Sequence, residues 1–186
     1  MTPDSSLELL FDPSIIPSSV QAQLGPDFHL RPLSSTDNQR GHLELLTILT
    51  AAPSLTIEAY QTTFNELKSR SNTYFTIVIV HSATDRIVAA GTILVERKFI
   101  RNSGLVGHIE DIAVSKSQQG KKLGLRIINA LEEIGRERGC YKIILDCSKD
   151  NIPFYERCGF HHKEYEMVLY MTDPPVASKA SGTSRL

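Results

Sequence analysis

Gly107-His108-Ile109-Glu110-Asp111-Ile112-Ala113-Val114, followed by Gln118-Gln119-Gly120-Lys121-Lys122-Leu123-Gly124, is the stretch whose reading decides the fold. The first run is apolar enough for a buried strand, and the second is a polar, glycine-bearing turn. Leu123, Ile127, Ala130, Leu131 and Ile134 then recur at helical spacing, with Arg126, Glu132, Glu133, Arg136 and Glu137 on the water-facing side. Gly139 suits the helix stop. A second apolar run spans Lys142 to Cys147, and Asn151 and Phe154-Tyr155-Glu156-Arg157-Cys158-Gly159-Phe160 come after it. Strand, turn and helix start in this order leave backbone N–H groups free where the helix dipole favours negative charge. Gly120 and Gly124 permit tight turning and close approach of a ligand, while Lys121 and Lys122 add positive charge. A pyrophosphate is the natural occupant. Alone, a Gly-Lys-Lys turn is more often a solvated loop. The chain lacks the Gly-Lys-Ser/Thr of a P-loop and the third glycine of a dinucleotide fingerprint.

On either side the pattern alternates. Phe28–Leu33 reads as a short strand. Thr36 or Asp37 caps a helix carrying Leu43, Leu46 and Leu49, and Thr56 caps a second with Ile57, Tyr60, Phe64 and Leu67 on one face. Tyr74–Val80 and Ile87–Glu96 are β-rich runs joined by the turn-like Ser82-Ala83-Thr84-Asp85. Leu105–Val114 makes a further strand, residues 151–158 a short helix, and Tyr165–Met171 a last strand. This order predicts an α/β fold with a mixed central sheet flanked by helices. Residues 1–27, rich in Ser, Pro and Asp, form an N-terminal extension whose Leu7–Leu10 and Ile15-Ile16 dock on the body. Residues 172–186 lack a core-forming pattern and are expected as a disordered tail.

A length of 186 residues suits one domain. The net charge of −1 points to neither nucleic acid nor an anionic membrane as a bulk partner. No stretch is apolar enough to span a bilayer, and Met1-Thr2-Pro3-Asp4-Ser5 lacks signal-peptide order. The odd cysteine count (Cys140, Cys147 and Cys158) fits a reducing compartment, so the expected location is the cytoplasm. Neither these cysteines nor His29, His42, His81, His108, His161 and His162 have ligand spacing, and no metal is expected.

The strand–turn–helix–strand–tyrosine order resembles the Gcn5-related N-acetyltransferase (GNAT) superfamily, in which Gln/Arg-x-x-Gly-x-Gly/Ala grips the pyrophosphate of acetyl-CoA. Here the pattern falls on Gln119-Gly120-Lys121-Lys122-Leu123-Gly124, with Lys122 where the superfamily usually has glycine; its backbone N–H is retained. Four motifs resemble the glucosamine 6-phosphate N-acetyltransferase family within it. They are Glu96-Arg97-Lys98, residues 107–114, Gly139-Cys140-Tyr141-Lys142-Ile143-Ile144-Leu145-Asp146-Cys147, and Asn151 with Phe154–Phe160. The resemblance covers roughly residues 28–170 and implies the GNAT acyl-CoA N-acyltransferase fold for residues 28–171. It also implies acetyl transfer from acetyl-CoA to the amine of D-glucosamine 6-phosphate, giving N-acetyl-D-glucosamine 6-phosphate and CoA, a step feeding UDP-N-acetylglucosamine synthesis.

The resemblance assigns roles. Ile112, Ala113 and Val114 offer backbone groups to the thioester and pantetheine, Gln119 to Gly124 hold the pyrophosphate, and Asn151, Phe154 and Tyr155 line the far side. The Tyr155 phenol serves the leaving thiolate; without the family it reads as a core tyrosine. In a regular strand Glu110 and Asp111 point to opposite faces, and adjacent acids there are costly unless used or paired, for instance with Arg97. In the family these two acids contact sugar hydroxyls and amine. Glu110 and Asp146 both remain candidates for the amine proton. Lys98 and Arg101 match the substrate loop, although alone they read as a solvated hairpin. Thr50 matches a substrate contact, and Tyr141 and Lys142 reach the phosphate in a neighbouring subunit of a homodimer with shared sites. Tyr170 stands where members commonly have a phosphate-binding arginine. The apolar run Met167–Met171 suits pairing across such an interface. A GNAT enzyme for another amine, or a CoA-binding module without turnover, are the competing readings.

Overall fold

Apolar alternation builds the sheet. In the computed structural model, which describes residues 1–171, the strands are β1 (Phe28–Pro32), β2 (Tyr74–His81), β3 (Arg86–Arg97), β4 (Leu105–Val114) and β5 (Cys140–Ile144). They lie in the order β1-β2-β3-β4-β5. The first four form an antiparallel meander, and β5 joins β4 in parallel. Phe75, Ile77, Val78, Ile79 and Val80 are all fully buried, so β2 reads as a continuous apolar run because both of its faces are covered.

The helices are α1 (Ser18–Gln21), α2 (His42–Leu46), α3 (Ile57–Lys68), α4 (Leu123–Glu137) and α5 (Ile152–Arg157). Thr56 caps α3 as its position suggests, its hydroxyl accepting from Ala59 N–H at 3.1 Å. α4 buries Ile127, Ile128, Ala130, Leu131 and Ile134 completely against β2, β3, β4 and β5. The helix sits so close to the sheet that a Cβ built at Gly91 would lie 2.5 Å from Ile127 and 2.6 Å from Ile112.

The helix expected after Thr36 breaks in two. A 3-10 turn, Asp37–Arg40, is separated from α2 by Gly41 at φ +86°. The reason is that the Asp37 carboxylate does not serve as a helix cap. It accepts from both Nη atoms of the buried Arg31, at 2.8 and 2.7 Å, and from Ser34 N–H at 2.7 Å. Every bond this pair needs is local, which makes two buried charges tolerable.

The N-terminal extension docks as expected. Leu10 N–H donates to Leu33 O at 2.8 Å and Ser35 N–H to Glu8 O at 3.0 Å. Leu10, Phe11 and Val20 enter the core, with Ile15, Ile16 and Leu24 packed against it. The expected last strand does not form among the described residues. Residues 161–170 make no strand, and Tyr165 and Met167 stand 87% and 95% exposed. An extended apolar segment needs a hydrogen-bonding neighbour, and none of the described strands pairs with it. The expected tail, residues 172–186, lies outside the described residues.

Candidate active site

β4 is not a regular strand, and its irregularity builds the site. Ala113 faces Ala90 and Glu110 faces Thr92, so Asp111 and Ile112 together oppose the single residue Gly91. Asp111 sits in the left-handed region at φ +55°. This bulge corrects the expectation that the two acids point to opposite faces: Glu110 and Asp111 are consecutive exposed residues between buried Ile109 and Ile112. Neither acid makes a hydrogen bond or ion pair among the described residues. Arg97, a possible partner, donates to Ser103 O at 3.1 Å instead. Partial burial pushes the Glu110 carboxyl above its usual range, and the Asp111, Asp146 and Glu166 carboxylates add to the rise against His108. Burial pushes Asp111 up as well. Non-glycine residues held in the left-handed region are worth functional scrutiny.

Beside this pair the sheet opens. β4 and β5 are in register only from Leu105 with Cys140 to His108 with Ile144. Beyond that point Ile109–Val114 keeps an unpaired edge away from β3, and Asp146 continues from β5. The far wall is α5. A Cβ at Gly124 would meet Val114 and the Phe154 ring, each at 3.5 Å, so strand end, turn and wall converge there. Tyr155 is 7% exposed, its ring edge-on to Phe154 at 5.0 Å and to Phe160 at 6.2 Å. Burial raises its phenol to about 12, with the Cys147 and Cys158 sulfurs opposing ionisation further.

The turn meets the requirements of an anion site. Gly120 lies at φ +84° with open space where a side chain would be, and Lys122 at φ +60°. No side chain caps α4, and its first intrahelical bond runs from Arg126 N–H to Lys122 O at 3.1 Å. The Leu123, Gly124 and Leu125 N–H groups are therefore left for a ligand. The Lys121 ammonium rests over the Phe28 ring, 5.1 Å from its centroid. Gln119 completes the turn, and Asn151 precedes the first turn of α5.

On the other side, Lys98 Nζ lies 2.6 Å from Glu96 Oε2, which is also 2.9 Å from His108 Nε2. Lys98 first, and His108 second, hold the Glu96 carboxyl below its usual range. Arg101, Asn102 and Ser103 all take left-handed conformations, and the Arg101 guanidinium stands 5.7 Å over the Tyr141 ring. The β3–β4 loop thus reaches the start of β5. Lys142 is exposed on β5, and Thr50 is exposed in the turn after α2. No hydrogen bond or ion pair among the described residues joins either to the acids. The Glu96-Arg97-Lys98 motif carries two members of the Glu96–Lys98–His108 chain, but no local pattern shows that His108 of β4 joins them. A groove of about 680 Å³ runs between the end of β3 and the C-terminus of α4, through Thr73, Glu96, Arg97 and Arg138. It holds none of the expected site residues; Glu110 to Val114 lie instead along the seam where β4 and β5 part. Among the described residues no cluster of His, Cys, Asp or Glu gathers as metal ligands. No helix of the described residues is long and apolar enough to cross a membrane.

The model of the acetyltransferase (GNAT) family matches residues 43–160. The chain belongs to the GNAT acetyltransferase family. A GNAT relative from Dictyostelium discoideum, glucosamine 6-phosphate N-acetyltransferase 1, is 50% identical over 145 residues, covering 78% of this chain and 92% of the relative. The rice protein of the same name is 44% identical over 146 residues, covering 78% of this chain and 88% of its own length. The crystal structure of glucosamine-6-phosphate N-acetyltransferase from Arabidopsis thaliana superposes with a TM-score of 0.77 at 39% identity, over 78% of this chain and 99% of that one. The GNAT fold also appears in a Clostridium acetobutylicum acetyltransferase solved with acetyl-CoA, at 17% identity and a TM-score of 0.60. The mixed five-stranded sheet flanked by helices is the expected architecture, and the chain is an acyltransferase.

Proposed function

We propose that this GNAT enzyme transfers the acetyl group of acetyl-CoA to the amine of D-glucosamine 6-phosphate, giving N-acetyl-D-glucosamine 6-phosphate and CoA. The observation that carries the reading is the Asp111 bulge, which turns two adjacent carboxylates onto the open edge of β4. That edge runs into a turn prepared for phosphate, and the relatives' names supply the sugar.

Acetyl-CoA supplies the acyl group as a thioester. Gln119 to Gly124 hold its pyrophosphate through backbone N–H groups, and the free edge of Ile112, Ala113 and Val114 aligns its arm against Asn151 and Phe154. Glu110, whose carboxyl sits above the usual range, takes the amine proton, while Asp111 and Asp146 orient the amine and hydroxyls. Tyr155 stays protonated at working pH, its phenol near 12. Full proton transfer to a thiolate with an ordinary pKa of about 8.5 is uphill by roughly 3.5 units, or about 5 kcal/mol. Tyr155 therefore assists by hydrogen-bonding the departing thiolate. Lys98, steadied by Glu96, and Arg101 receive the sugar phosphate. Tyr141 and Lys142 of a second copy, in this reading, complete the phosphate site. Phe99, Tyr165, Met167, Leu169 and Met171 are exposed apolar side chains of the kind that a homodimer would cover. With Tyr170 in place of the arginine common in the family, the lysines and Arg101 carry the phosphate charge. The three free cysteines suit a cytoplasmic enzyme feeding UDP-N-acetylglucosamine synthesis.

The test is thiol release from acetyl-CoA with glucosamine 6-phosphate, glucosamine and glucosamine 1-phosphate side by side. Release with the 6-phosphate alone is expected. Equal release with unphosphorylated amines would transfer the enzyme to another substrate class, and acetyl-CoA binding without release on any amine would make it a binding module.

A further inference from the structure

We propose that Gln23, in the segment leading into β1, and Phe28, the first residue of β1, are positioning residues that hold the cations Arg126 and Lys121 at the acetyl-CoA phosphates. The inference rests on the reading of residues 118–124 as the acetyl-CoA cradle.

The segment is well anchored. Val20 is buried, α1 packs on α4, and Leu24 lies against the core. Gln21 Oε1 accepts from Leu30 N–H at 2.8 Å, and Asp27 O accepts from Ser82 N–H at 2.7 Å. From this platform two contacts reach the cradle. The Gln23 amide oxygen accepts a hydrogen bond from Arg126 Nη1, across 103 residues of sequence. The Phe28 ring lies beneath the Lys121 ammonium at 5.1 Å. Lys121 is in the cradle turn. Arg126 is in the first turn of α4, where helical side chains lean back towards the N-terminus and so towards that turn.

What distinguishes these contacts is that both tethers are uncharged. Among the described residues neither cation lies within ion-pair distance of a carboxylate. An acidic partner would fix a cation and cancel its field together. An amide oxygen and a ring face fix its place and leave the charge available to an anion. The cradle's N–H groups and the two side-chain charges then act on the same polyanion, with the flexible side chains already ordered. Truncating Gln23, an exposed residue, removes nothing from the core.

The experiment compares the full-length protein with Q23A, F28L, R126A and the double variant Q23A/R126A. It measures kcat, both KM values, the acetyl-CoA dissociation constant and the melting temperature. Q23A and F28L are expected to raise the acetyl-CoA KM and dissociation constant about three- to tenfold, with kcat and the amine KM unchanged. The penalty should shrink at about 0.5 M salt, where charge interactions are screened. Q23A should melt with the wild type, and the double variant should bind no more weakly than R126A alone. An unchanged acetyl-CoA affinity in Q23A, or a penalty in the double variant equal to the sum of the single ones, would overturn the proposal. G120D, which puts a carboxylate into the turn, separates this from failure of the cradle itself. If G120D binds acetyl-CoA as the wild type does, the cradle reading falls too.

Discussion

Tyr155 and Glu110 are both neutral acids longer than their types usually are, for the same reason: partial burial penalises the charged form. The consequences differ. For Tyr155 the donor persists at any working pH, so Tyr155→Phe should lower kcat by about 10- to 100-fold with the acetyl-CoA KM nearly unchanged, as steady-state kinetics would show. For Glu110 and Asp111 the native state holds protons more tightly than the unfolded one. Their contribution favours folding below the unfolded value, 4.5 for Glu110, and is lost as pH rises through the raised folded value. Glu110→Gln should therefore melt higher than wild type at neutral pH and lose that advantage near pH 4, while activity falls. A melting series over pH 4–8 checks both limbs. Glu110 and Asp111 are thus expected to lower the stability of the protein at neutral pH.

Among the elements, β2, β3, α3 and α4 were legible because local pattern and tertiary environment agree. β2 is a long β-branched run, and the stripe on α4 is the stripe that is buried. The helix after Thr36 was not, because Asp37 was enlisted by Arg31, whose burial no local pattern reveals. The bulge in β4 was not either: two adjacent acids look like a strand with a fault, and only the opposing Gly91 shows the ladder making room. The turn before α4 and the short helix carrying Tyr155 were legible through motif order, whereas Gln23 and Arg126 meet across a sequence gap no spacing rule spans. Gly91→Val tests the helix–sheet approach. Its side chain would intrude on Ile127 and Ile112, costing about 1–3 kcal/mol in chemical denaturation.

For the whole molecule, the expected sixth strand finds no partner among the described residues, and a strand is a property of a pair. The run from Tyr165 to Met171 leaves its apolar side chains exposed. Sedimentation of the native protein should give a dimer, and Met167→Asp combined with Leu169→Asp should give a monomer with little turnover but undiminished acetyl-CoA binding. A monomeric native protein with full activity would remove the shared site from the mechanism.

The bulge also makes the second acid an insertion. Thr92 faces Glu110 and Ala90 faces Ala113, so excising Asp111 would leave Gly91 facing Ile112 and close the ladder without a break. Everything downstream, from Ala113 to the cradle, would stay in phase. A protein one residue shorter should thus fold at least as well and still bind acetyl-CoA, yet handle the amine poorly. In the proposed reading, a single residue thus separates the acceptor side of the protein from its acetyl-CoA side.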